Sequence, residues 1–135
     1  MEKIYSKKNP SQLLHIIHRF NNITENRNDI SPDEEYLQVG AFKTHKNKVY
    51  RPHIHLNIDR STDITQESWV IMEGKIKVSL FDIDSSPLYE TILEKGDCSI
   101  TFRGGHGYEC VEDNTVVYEF KTGPYMGQKK DKEWI

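Results

Sequence analysis

The sequence predicts a mainly β protein: an antiparallel sandwich or barrel with one helix outside it. Three observations point there. Eight short segments rich in β-branched and aromatic residues follow one another from Tyr36. Turn formers such as Glu73-Gly74, "DIDSSP", "EKGD", "RGG" and "EDN" separate them. The spacing of one apolar stretch ahead of them is helical rather than alternating. Short strands at near-regular spacing are the signature of sandwiches and barrels.

The elements follow in order. In "SQLLHIIHRF", Leu13, Ile16, Ile17 and Phe20 repeat at i, i+3, i+4 and i+7, which predicts a helix over about 11–26. Asn9 or Ser11 suits its N-cap and Pro10 its first turn. "NNITENRNDISPDEE" then reads as a loop. The strand region spans about 36–121, through "EYLQVGAF", "VYRPHIHLNI", "SWVIMEG", "KIKVSLFDI", "PLYETIL", "CSITF", "GYECV" and "TVVYEFK". Residues 122–135 read as an irregular tail, since Gly123-Pro124 stops sheet pairing. Its Tyr125 and Trp134 are unusual spending for a disordered end, and Tyr125 is expected near the mouth of the barrel.

Composition narrows the function. A chain of 135 residues suits one domain with one core, here 1–135. The net charge is −3 and no basic stripe stands out, so nucleic acid is not an expected partner. No apolar run approaches the roughly 20 residues of a membrane span, and the start "MEKIYSKKNP" lacks a signal-peptide core. A cytoplasmic protein is expected. Its two cysteines, Cys98 and Cys110, are then reduced and without a catalytic role.

One stretch raises a chemical question. "YRPHIHLNI" puts His53 and His55 on the same face of a predicted strand. Glu67 opens a later strand, and His106 sits in a Gly-rich bend. Three imidazoles and a carboxylate converging in a barrel make an N/O site for Fe, Mn, Zn, Ni or Co as a divalent ion. The other reading of each lone His is a residue without a ligand. "TVVYEFKTGPY" places Glu119 and Lys121 on one strand face, which suits an outer wall or a polar pocket lining equally.

These residues resemble the two motifs of the cupins, small double-stranded β-barrels of jelly-roll type. "HIH" with "ESWVIMEG" matches the first motif through His53, His55, Glu67 and Gly74. "GDCSITFRGGHGYEC" matches the second through Gly96, Gly104 and His106. The sequence departs from the pattern in four ways. The first glycine is missing, eleven residues lie between His55 and Glu67, the Gly96–His106 gap is one residue short with Phe102 in place of Pro, and Cys110 stands where the motif ends in Asn. Gln66, beside Glu67, is an alternative ligand.

The resemblance implies a cupin barrel with the N-terminal helix packed outside, and a homodimer. It implies one divalent transition metal held by His53, His55, Glu67 and His106. It also implies an enzyme on a small polar substrate, such as a sugar or sugar nucleotide of cell-surface glycan biosynthesis. Glu119, Lys121 and Tyr108 are the candidates for proton transfer. Arg51, Arg103 and Tyr125 are those for substrate contact, since an Arg fork suits phosphate or carboxylate. A metal-free isomerase or epimerase with a His base, and a ligand-binding or sensory cupin without turnover, are the alternatives.

Overall fold

The computed structural model describes residues 1–24 and 26–135, and the chain is mainly β. Its strands are β1 (Glu2–Tyr5), β2 (Leu13–His18), β3 (Asn26–Asp29), β4 (Gly40–Lys43) and β5 (Glu67–Glu73). They continue as β6 (Lys75–Phe81), β7 (Pro87–Glu94), β8 (Cys98–Thr101), β9 (Gly105–Cys110) and β10 (Val116–Lys121). A 3-10 turn, Phe20–Asn22, and a short helix α1, Gln128–Asp131, complete the inventory. Every pairing is antiparallel.

One sheet has five strands in the order β1-β2-β8-β5-β10, and a second has three in the order β7-β6-β9. They share a core of Ile17 and Ile71 from the first and Ile76, Val78, Leu80 and Leu93 from the second. The five-stranded sheet is covered on its other face too. Ile16, Cys98, Ile100 and Phe102 pack there under Ile30, Leu37, Val39 and Ala41, which belong to the β3–β4 hairpin and its connection. Among the described residues the sheets do not close into a barrel by strand pairing.

This two-sided burial corrects the predicted helix at 11–26. Leu13–His18 is a strand, and Ile16 and Ile17 enter opposite cores. A strand buried on both faces has no solvent face to impose a polar–apolar alternation, and in Leu13–His18 even His15 and His18 are buried, so no period of two betrays it. Two adjacent β-branched residues favour the extended state. Residue 25 of the expected helix lies outside the described residues.

A second correction falls on "VYRPHIHLNI", which was expected as a strand. Residues 44–66 are irregular, and Ile54, Leu56 and Ile58 are exposed. Pro52 withdraws a ladder donor, and no strand pairs with this stretch. "EYLQVGAF" contributes only its end, as β4. The later expected strands appear as β5 to β10. In the tail, α1 interrupts the expected irregular chain.

Polar side chains fasten the layers. Arg19 donates to Glu2 at 3.0 Å, to Asp97 at 2.9 Å and to Thr91 at 2.8 Å, tying β1 to the β7–β8 corner. Buried Glu35 accepts from Gln66 at 2.5 Å and pairs with Arg103 at 2.6 Å, which holds the outer connection on the sheet.

Gly104 ends the turn between β8 and β9 at a φ of +78°. A Cβ there would stand 2.4 Å from the Phe81 carbonyl oxygen, a backbone atom that cannot swing away. Gly104→Ala is therefore expected to destabilise the fold by about 2–3 kcal/mol, read as a lowered urea midpoint with unchanged slope.

Candidate functional site

Three strands aim polar side chains into one cavity of about 640 Å³. On β5, Glu67 and Trp69 share the face that continues to core residue Ile71. On β10, Glu119 and Lys121 share the face of Val117, and the register sets Lys121 opposite Glu67 and Glu119 opposite Trp69. On β9, in the other sheet, His106 and Tyr108 share a face. The sandwich thus brings His106 to Glu67 across the gap between sheets. The C-terminal residues Lys132–Ile135 line the cavity as well.

Glu67 is the centre, with only 7% of its side chain exposed. Its Oε1 accepts from Trp69 Nε1 at 2.7 Å and meets His106 Nε2 at 3.1 Å. Its Oε2 faces Lys121 Nζ at 3.4 Å. Lys121 also meets Glu119 at 2.8 Å and Asp131 at 3.3 Å. Burial alone would raise the Glu67 pKa. The His106 hydrogen bond and charge, the Trp69 N–H and the Lys121 ammonium outweigh it and hold the carboxyl at about 2. Hydrogen bonding to Glu119 pushes the Lys121 ammonium upward, so it stays charged.

Trp69 does two jobs. While its N–H holds Glu67, its ring stacks on Tyr108, with centroids 4.0 Å apart and planes at 12°. The Tyr108 hydroxyl shares a 2.9 Å hydrogen bond with Ser99, and burial raises its pKa further above the ordinary phenol value. A proton on Tyr108 is thus firmly held. His106 has one feature no other described side chain shares. Its Nδ1 is buried and has no hydrogen-bond partner among the described residues.

Of the residues singled out in the sequence, Glu67, His106, Tyr108, Glu119 and Lys121 come together here. His53 and His55 do not join them. They are exposed on residues 44–66, their rings 5.1 Å apart edge to face, and His53 Nδ1 bonds its own chain at Arg51 O. Arg51 is exposed on the same segment. Arg103 is spent on Glu35. Tyr125 is exposed, under the Lys121 ammonium at 5.2 Å, and lies outside the cavity lining. Gln66 is occupied by Glu35 and the Leu37 amide, so it is a structural residue. Cys98 is buried and Cys110 exposed, both as free thiols.

Among the described residues, no group of three or more His, Cys, Asp or Glu could hold a metal ion. The donors in direct contact at the cavity are the His106 imidazole and the Glu67 carboxylate, and Glu119, Asp131 and Glu133 stand elsewhere on its lining. No protein-family model, no curated protein and no solved structure matches the chain.

Three contributors escaped the sequence reading. Trp69 was legible in principle, since it stands two residues from Glu67 on one strand. Asp131 carried no signal, being one charge in a mixed run. His15 lies behind the site with no exposure, bonded to Thr101 Oγ1 and to the Phe81 carbonyl, both at 3.0 Å. Burial pushes His15 from the ordinary 6.5 down to about 4, against the Phe81 hydrogen bond.

That depression has a defined sign. Between about pH 4 and 6.5 the unfolded chain binds a proton at His15 that the folded chain refuses. The contribution of His15 to stability is complete above 6.5 and is lost as pH falls towards 4, by about 3 kcal/mol. Unfolding of the protein and of His15→Gln across this window checks it. The variant is expected to show a flatter pH dependence.

Proposed function

We propose that the cavity binds a small polar molecule and that His106, held by Glu67, moves a proton on it. The observation that carries this reading is the His106–Glu67 contact beside the unpartnered Nδ1 of His106. A carboxylate held at about 2 is ionised at neutral pH and accepts from Nε2–H. That fixes the imidazole tautomer and leaves the Nδ1 lone pair as the basic atom. Nδ1 is buried, so the imidazole must turn towards the cavity for a substrate O–H or C–H to reach it, and it is then a general base screened from bulk water. Once His106 is protonated, Glu67 stabilises the imidazolium and the same atom can return the proton.

The walls support a carbohydrate as the molecule. Glu67, Glu119 and Glu133 offer acceptors for hydroxyls, while Trp69 and Trp134 offer flat apolar faces for the carbon edges of a sugar ring. The cavity volume falls within the range of sites for drug-sized ligands. Together with the cupin-like motifs, this favours an isomerase or epimerase acting on a sugar or sugar nucleotide in the cytoplasm, on a jelly-roll-type scaffold. Tyr108 and Glu119 then position the substrate at the cavity wall, and Lys121, off the lining, holds the Glu67 and Glu119 carboxylates.

A panel of sugars and sugar nucleotides tests it, first by thermal shift and then by proton exchange from solvent deuterium into the ligand, followed by NMR. Exchange or isomerisation by the protein is expected, with His106→Asn slower by roughly 10²–10⁴-fold. Binding without exchange would make the protein a ligand-binding module. Elemental analysis of protein purified without chelator or added metal is the second arm. About one metal ion per chain, lost in His53→Ala, would replace this reading with a metal centre.

A further inference from the structure

Residues 53–58 have the pattern of a strand and no sheet. Ile54, Leu56 and Ile58 alternate with His53, His55 and Asn57, so an extended chain would put the three aliphatic side chains on one face. They are 90%, 80% and 61% exposed. The segment is also where positive charge concentrates. Residues 36–58 contain Lys43, Lys46, Lys48 and Arg51 and no Asp or Glu, so the rest of a chain of net −3 carries −7. The whole-chain charge conceals this separation.

The sheets show the complementary lack. β10 is the last strand of its sheet, and its outer edge is unpaired. Val116, Tyr118 and Phe120 make an exposed apolar row along that strand, with Tyr118 60% and Phe120 52% exposed. β9 also ends a sheet, but the face it turns away from His106 and Tyr108 offers only Gly105, Gly107 and Glu109. Of the two sheet edges that flank the cavity, β10 is the one that matches an aliphatic strand.

We propose that residues 53–58 add as a strand to the free edge of β10 in a second copy of this chain, bringing Arg51, His53 and His55 to the rim of that copy's cavity. The alternation of side chains dictates the second half. If Ile54, Leu56 and Ile58 extend the apolar row of Val116, Tyr118 and Phe120, residues 51, 53 and 55 fall on the other face. That is the face of β10 that carries Glu119 and Lys121. Each copy displays both an unpaired strand and an unpaired edge, so one two-fold axis satisfies both at once. The basic segment meets a chain whose remainder is acidic. Pro52, at the start of the added strand, lacks an N–H and blunts growth beyond two copies. The contribution to the cavity rests on the acid–base reading above; the pairing does not.

Cysteine cross-linking of the full chain tests it. In a Cys110→Ser background, Leu56→Cys is combined in turn with Val116→Cys, Tyr118→Cys and Phe120→Cys and oxidised mildly. At least one pair is expected to give a disulfide species of twice the chain mass that collapses on reduction. Light scattering is expected to find the unmodified protein dimeric, and Leu56→Asp monomeric with an unchanged circular dichroism spectrum. A disulfide formed within a single chain would overturn the proposal by placing the segment on its own β10. So would a monomeric unmodified protein, or the absence of a cross-link from all three pairs. None of these readouts depends on turnover, so they fail independently of the acid–base reading.

Discussion

A carboxylate between two packed sheets must be compensated, and Glu67 is the group on which the site turns. An unpaired charge there would cost several kcal/mol. Its two oxygens instead meet an indole N–H, an imidazole and an ammonium drawn from β5, β9 and β10. These partners belong to both sheets of the sandwich. Satisfying one buried charge thereby fixes how the sheets sit at this end, and it aligns His106. Lys121 extends the arrangement to Asp131, which anchors α1 and the chain end that lines the cavity.

The same end of the sandwich explains why glycine stands where it does. β8 turns into β9 through Arg103 and Gly104, close against the Phe81 carbonyl at the end of β6. His15, from β2, closes the space behind, bonded to that same carbonyl. A buried neutral imidazole thus sits behind the imidazole proposed to move protons. The back one is locked by two hydrogen bonds, whereas the front one keeps a free nitrogen. Packing has given one residue type two different environments.

Much of the site was legible in the residues, for a physical reason. Strand periodicity is two, so Glu119 and Lys121 had to share a face, whereas it was the resemblance to the cupin motifs that marked Glu67 and His106, two positions that do meet. Other residues misled because their type fits several roles. Arg103 has the fork for an anion but spends it on Glu35, and Gln66 could ligate but holds a backbone amide instead. Trp69 looked like strand filler, although its N–H is one of the three groups that hold the carboxylate.

The sequence by itself determined the β-rich class, the positions of β5 to β10 and the alternation that sorts their faces, because these depend on neighbours in the chain. Tertiary structure decided whether "LLHIIH" is helix or strand. Its apolar run satisfies either geometry, and only a sheet with two covered faces selects the strand. Tertiary structure also separated His53 and His55 from Glu67 and His106. Local pattern makes "HIHLNI" a strand in waiting, but a strand exists only where another edge supplies its hydrogen bonds.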